Sequence, residues 1–143
     1  MTSKELVKQT PEKWHFPILQ ETDNGLTIRY QMSYIQANIT GGEDTNAVAL
    51  TLAGVFSADD EKEMFLGLRT CNDLNNNLLQ VKLYIDSDSD LIIASEFFYQ
   101  TPEDMEYLLD MSLQSVIVAK RCFTQKYCEL EEEAKLISEL EQE

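Results

Sequence analysis

The stretch Leu79-Gln80-Val81-Lys82-Leu83-Tyr84-Ile85-Asp86-Ser87-Asp88-Ser89-Asp90-Leu91-Ile92-Ile93-Ala94 decides the fold class. Leu79, Val81, Leu83 and Ile85 alternate with Gln80, Lys82 and Tyr84, the two-residue period of a half-buried strand. Asp86 to Asp90 interrupt the apolar pattern with Asp and Ser alone, and a second apolar run follows from Leu91 to Tyr99. Two strands joined by so short a turn are antiparallel, because a parallel return needs a crossover of about a dozen residues. Thr101-Pro102-Glu103-Asp104 then reads as a helix start, with Thr101 as N-cap and Pro102 at the first helical position.

Downstream of Pro102 there is no Gly or Pro. Met105, Leu109, Leu113, Val116, Phe123, Tyr127, Leu130, Ala134, Ile137 and Leu140 form an apolar stripe at helical spacing, with Lys120 as its polar interruption. A single helix over about 102–140 and a helix broken near Tyr127 both fit this pattern.

Upstream, Ser57-Ala58-Asp59-Asp60 reads as a helix start, with Ser57 as N-cap and Asp60 three residues on, and Met64, Leu68 and Cys71, with Phe65 alongside, form its apolar stripe. Its end is expected within Asn72-Asp73-Leu74-Asn75-Asn76-Asn77, since Asn tolerates left-handed C-cap geometry. Residues 47–56 read as a strand whose small face, Ala47, Ala49, Thr51 and Ala53, would let a helix approach closely, so this strand is expected to be central. Gly41-Gly42-Glu43-Asp44 is a loop. Residues 26–34 alternate as one strand, with Leu26, Ile28, Tyr30, Met32 and Tyr34 on a common face. Residues 18–21 pair with it through Asp23-Asn24-Gly25, since Asn-Gly supplies the positive φ of a tight hairpin. A short helix over about 3–13 precedes them, limited by Pro11. The predicted architecture is α+β: an antiparallel sheet of about five strands in the order α-β-β-β-α-β-β-α, with a long C-terminal helix.

The chain has 143 residues, 26 Asp plus Glu against 11 Lys plus Arg, a net charge of −15 and a pI near 4.3. That length fits one domain over 1–143, with a core at about 17–127 and a Glu-rich helical tail at 128–143. The charge excludes nucleic acid and anionic membrane surfaces as partners, because both need clustered Lys and Arg. The acid is unevenly spread: residues 129–143 hold seven Glu and one Lys, a net of −6, at the end of a helix whose dipole disfavours acids there. Such a tail is either frayed and solubilising, or a helix that docks on a second copy or a partner.

Met1-Thr2-Ser3-Lys4-Glu5 opens no secretory signal, and Cys71, Cys122 and Cys128 do not form a disulfide framework, so a cytoplasmic location is expected. Chemistry has little to work with. His15 is the single His, between Trp14 and Phe16, and no catalytic or phosphate-binding motif is present. Asp86, Asp88 and Asp90 match the first ligands of a calcium loop, but Leu91 stands where such a loop needs Gly and Phe97 where it needs Glu. A polar hairpin turn is the better reading, with a metal-responsive sensor as the alternative. No enzyme activity and no cofactor are expected.

Three features together carry a family resemblance: the helix ending Cys71-Asn72-Asp73-Leu74-Asn75, the hairpin Val81-Lys82-Leu83-Tyr84-Ile85 to Leu91-Ile92-Ile93-Ala94, and the final helix from Pro102. In these the chain resembles the bacterial YbjN-type domain family, whose fold is shared with type III secretion chaperones, over about residues 17–127. The family carries no invariant catalytic set, so no catalytic residue transfers. The resemblance implies a small, acidic, cytoplasmic protein, homodimeric, that binds other polypeptides or acts in regulation. The candidate contacts are Tyr30, Met32 and Tyr34 on the first hairpin, if that face is uncovered, and Phe123, Tyr127, Leu130 and Ile137 on the long helix. Tyr and Met are residue types suited to adaptable interfaces, although the same face could equally be core under a helix.

Overall fold

A computed structural model describes residues 2–40 and 46–142. The order is α1 (Ser3–Lys13), β1 (Ile18–Thr22), β2 (Gly25–Tyr30), β3 (Ser33–Thr40), β4 (Ala47–Leu52), α2 (Glu61–Asn77), β5 (Lys82–Ile85), β6 (Leu91–Phe98) and α3 (Asp104–Glu141). The architecture is α+β, with six antiparallel strands in the order β1-β2-β3-β4-β6-β5 and a long C-terminal helix. The expected loop at Gly41-Gly42-Glu43-Asp44 lies outside the described residues.

The sixth strand comes from a division that alternation concealed. Residues 26–34 are not one strand: the chain reverses at Gln31 and Met32, with φ of 46° and 63°, so that Tyr30 pairs with Ser33 and Leu26 with Ala37. Two consecutive positive-φ residues form the tight turn that suits the twist of paired strands. Beyond the reversal the faces exchange parity. Leu26, Ile28, Tyr30, Ser33, Ile35 and Ala37 are buried, whereas Met32 and Tyr34, expected on the face of Leu26, are exposed.

Strand β4 is central, as expected, between β3 and β6. Its small face is not the helix side, however. Val48, Leu50 and Leu52 join the core shared with the helices, while Ala47, Ala49 and Thr51 face the other way. All three helices lie on that one side: α1 against β2 and β3, α2 against β5, and α3 against β4 and β6.

Helix α2 is capped by Asp60, whose Oδ1 accepts from the Glu63 N–H at 2.8 Å, and not by Ser57, which instead bridges Asp90. A carboxylate at the positive end of the helix dipole is the stronger acceptor. The residues α2 buries differ in part from expectation: Cys71 faces the core as its stripe predicts, with Leu66, Gly67, Thr70 and Leu74, whereas Phe65 and Leu68 are exposed. Gly67 permits this, since a Cβ there would come within 2.8 Å of Ile85 Cδ1 and 2.9 Å of Phe56 Cε1. Thr70 satisfies its buried hydroxyl by donating to the Leu66 carbonyl at 2.7 Å.

Helix α3 begins its regular turns at Asp104, after Thr101 Oγ1 has donated to the Asp104 carboxylate at 3.0 Å. It runs unbroken for 38 residues, or about 57 Å, with no interruption near Tyr127. Lys120, the odd residue in its stripe, meets the hairpin turn: Nζ donates to Ser33 Oγ at 2.9 Å, and Arg121 donates to Gln31 Oε1 at 3.3 Å.

Candidate functional site

With the three helices on one side, no helix among the described residues covers the other side of the sheet. The centre of this face is a floor of small residues, Ala47, Ala49 and Ala94, each less than a tenth exposed, with Asn38 and Glu96 in register beside Ala49, and Thr51 and Lys82 beside Ala94. Three aromatic side chains stand out from this face, Tyr34 on β3, Phe98 on β6 and Tyr84 on β5, which are 63%, 78% and 43% exposed. Phe98 stands in register with Ala47, and Tyr84 with Ile92, while Tyr34 lies at the other end of β3 from the partner of Ala47, so the aromatic side chains mark opposite ends of a shallow face across four strands. Lys82 forms an ion pair on this face with Glu96, at 2.8 Å, and the hydrogen bond to Glu96 raises the lysine pKa. Aromatic side chains at the ends and small ones between them suit the seating of side chains from an extended polypeptide.

The residues singled out by sequence do not form one site. Met32 is at the tip of the first hairpin, 87% exposed, and Tyr34 belongs to the bare sheet face. Tyr30 is buried on the helix side, its ring edge-on to Phe16 at 5.0 Å. Phe123 is buried and Tyr127 half-buried, both on Phe56, with centroids 5.3 and 4.9 Å away. Leu130 is buried as well, whereas Ile137 is exposed with Leu136 and Leu140 on the far end of α3. Tyr30, Phe123 and Leu130 are thus core positions, buried because the hairpin and α3 close over the same layer.

Two features of the surface were not read from sequence. Phe98 sits in a continuous apolar run, yet Phe97 and Phe98 are adjacent in a strand and must face opposite ways, which was the available signal. The second feature is a second apolar row on α2, formed by Met64, Phe65 and Leu68, the row that sequence had assigned to the core.

The acidic turn is built as a turn. Asp86 Oδ1 accepts the N–H groups of Asp88 and Asp90 at 2.9 and 3.0 Å, so one carboxylate closes the loop through local backbone bonds. Among the described residues no group of three or more His, Cys, Asp or Glu side chains is arranged to hold a metal ion. His15 is exposed, with φ of 61°, beyond the end of α1. Among the described residues no helix is long and apolar enough to cross a membrane.

The free thiols separate by environment: Cys71 is buried, Cys122 half-buried and Cys128 exposed. Burial pushes the Cys71 thiol up to about 11. With a disulfide reagent at about pH 8 we expect Cys128 to react first and Cys71 to wait for unfolding, since only the thiolate attacks. Labelling of Cys71 as fast as Cys128, read by mass spectrometry, would contradict the packing of α2.

No protein-family model matches the chain, and no curated protein matches its sequence. Solved structures do. An uncharacterized protein from Methanothermobacter thermautotrophicus superposes with a TM-score of 0.65 at 14% identity, covering 89% of this chain and 97% of that one. YbjN from E. coli, a putative transcription regulator, superposes with a TM-score of 0.65 at 10% identity, over 88% of this chain and 92% of its own. The Yersinia pestis type III secretion chaperone SycH, solved in complex with a stable fragment of YscM2, gives 0.51 at 7% identity, over 82% and 99%. At these identities the likeness is one of fold. The chain has a YbjN-like fold, the one also seen in type III secretion chaperones.

Proposed function

We propose that this protein is a non-catalytic polypeptide-binding module, chaperone-like or regulatory, which receives an extended segment of another protein on the bare face of its sheet. One observation carries the reading: Tyr34 and Phe98 stand 63% and 78% exposed at opposite ends of a sheet face whose centre is small, on the side the three helices leave uncovered. Exposed apolar surface of this kind, rimmed by polar groups, marks interaction sites. The likeness to SycH, a chaperone that holds a fragment of another protein, supports the same class of role.

The test is an arrayed library of short peptides of mixed charge and hydropathy, probed with the wild-type protein and with a Tyr34→Ser/Phe98→Ser double variant. Both substitutions are at exposed positions and leave the core intact. The wild type should retain a subset of apolar peptides, and the double variant should bind them about tenfold or more weakly, the loss expected of interface aromatics. The reading falls if no peptide binds, or if the double variant, folded by circular dichroism, binds them equally well.

A further inference from the structure

Strand register gives the uncovered face of the sheet a definite order. At one end Arg29 stands beside Tyr34, and Ile92 beside Tyr84. At the other end Phe98 stands beside Ala47. Two rows lie between: Gln36, Thr51, Ala94 and Lys82 in one, Asn38, Ala49 and Glu96 in the next. This middle is polar and satisfies itself. Gln36 Nε2 donates to Asn38 Oδ1 at 3.3 Å, and Lys82 pairs with Glu96 at 2.8 Å, so the rows present no net charge. The face therefore has apolar ends and a neutral polar centre.

The distance between the ends sets a spacing. Ile92 and Phe98 are six residues apart on β6, about 20 Å at the rise of a strand. An extended segment laid along the strands rises at the same rate, and its alternate side chains point down. Two apolar side chains at positions i and i+6 then reach the two ends together, while those at i+2 and i+4 lie over the polar rows. Charge tells the ends apart. Arg29 is exposed beside Tyr34, and among the described residues it is in no ion pair. At the other end no Lys or Arg is in register with Phe98 or Ala47.

The same layout argues for a single strand and against a second copy on this face. Two copies laid face to face would put Gln36, Asn38, Lys82 and Glu96 where stacked sheets and permanent interfaces keep an apolar core. One extended segment instead covers the apolar ends and leaves the polar rows open to water at its sides. We infer that the uncovered face selects an extended segment of a partner polypeptide with two apolar side chains six residues apart, uncharged polar residues between them, and an acidic residue flanking the apolar one at Tyr34, where Arg29 can pair with it. This rests on the polypeptide-binding reading and deepens it, because it gives the bound segment a spacing and a charge.

The experiment is titration of the full chain with fluorescent peptides of Thr and Ser that carry two Phe, read by anisotropy. Peptides with Phe at i and i+6 should bind about tenfold more tightly than peptides of the same composition with Phe at i and i+3, whose second ring points away from the sheet. Phe98→Ser should abolish that preference. A Glu flanking one Phe should bind more tightly than a Lys there, by a margin that shrinks as salt rises. Arg29→Gln should remove the preference for Glu and leave the preference for spacing. If both spacings bind equally, or if members of the peptide array bind while none of the spaced peptides does, the inference falls and polypeptide binding stands. A preference for Glu that survives Arg29→Gln also overturns the inference. So does light scattering that shows a wild-type dimer converted to monomer by Tyr34→Ser/Phe98→Ser, because a second copy would then cover the face. If neither the spaced peptides nor any member of the array binds, both readings fall.

Discussion

Phe123→Ala should lower the unfolding free energy by about 4 kcal/mol, within the range for deleting a buried aromatic ring. Phe123 is 2% exposed, and it joins α3 to the connection between β4 and α2. Its ring lies 5.3 Å from Phe56, in the connection between β4 and α2, and 5.9 Å from Tyr127 one turn further along α3. Phe56 and Tyr127 are themselves 4.9 Å apart, so the three rings form a closed cluster. Removing the central ring leaves a cavity that neither α3 nor the Phe56 segment can fill, because both are held by other contacts. The loss corresponds to about 12–16 °C in Tm for a chain of this size. Phe65→Ala, which removes the same ring from an exposed position of α2, should change stability by no more than about 0.5 kcal/mol. Denaturant unfolding of the two variants side by side tests the claim. A loss below about 1.5 kcal/mol for Phe123→Ala would mean that the aromatic cluster does not fix α3 to α2.

Much of this fold is written in periodicity, and the places where it is not have physical causes. The β5–β6 hairpin and the apolar stripe of α3 are legible because turn residues and apolar spacing agree there, although the same spacing fits a break near Tyr127 that α3 does not have. The reversal at Gln31 and Met32 is not. Neither residue favours positive φ, and the strand-like alternation runs straight across them. The turn is imposed by the pairing of β2 with β3, and held by Lys120 and Arg121 of α3. The two faces of β4 are a different case. Pattern gives the faces but not which one the helices take, and here both are largely buried, one by helices and one by neighbouring side chains.

Helix α2 misleads for the opposite reason. The row with Met64, Phe65 and Leu68 looks like the core row, yet the helix turns inward the face with Leu66, Gly67, Thr70, Cys71 and Leu74, where Phe56 and Ile85 come too close for anything bulkier than Gly67. Sequence alone named Met64, Phe65 and Leu68 but placed them with Cys71 on one stripe, which the structure divides between surface and core.

Asn75→Leu should cost about 2 kcal/mol and act on one strand edge. In the helix-end sequence Cys71-Asn72-Asp73-Leu74-Asn75, Asn75 is the residue that reaches the sheet. Its Nδ2 donates to the Leu83 carbonyl at 2.9 Å, while its Oδ1 accepts the Leu83 N–H at 2.9 Å. One carboxamide thus pairs both backbone groups of an edge residue, standing in for one residue of a missing seventh strand. The edge it closes would otherwise offer unpaired backbone to another chain. A leucine has similar bulk but no polar atoms, so the variant leaves a donor and an acceptor unsatisfied, at about 1 kcal/mol or more each. Hydrogen exchange should locate the effect, with the Leu83 amide protected in the wild type and released in the variant before global unfolding. Asn75→Asp gives an independent check. The introduced carboxylate can still accept the Leu83 N–H but faces the Leu83 carbonyl with no proton to donate, so folding raises its pKa above the unfolded value. Its protonated form can donate to that carbonyl, so the deficit relative to wild type should shrink as pH falls through the folded-state pKa and be full at neutral pH. A deficit that does not change between acid and neutral pH, or a Leu83 amide as well protected in Asn75→Leu as in the wild type, would show that the β5 edge is closed by something other than Asn75.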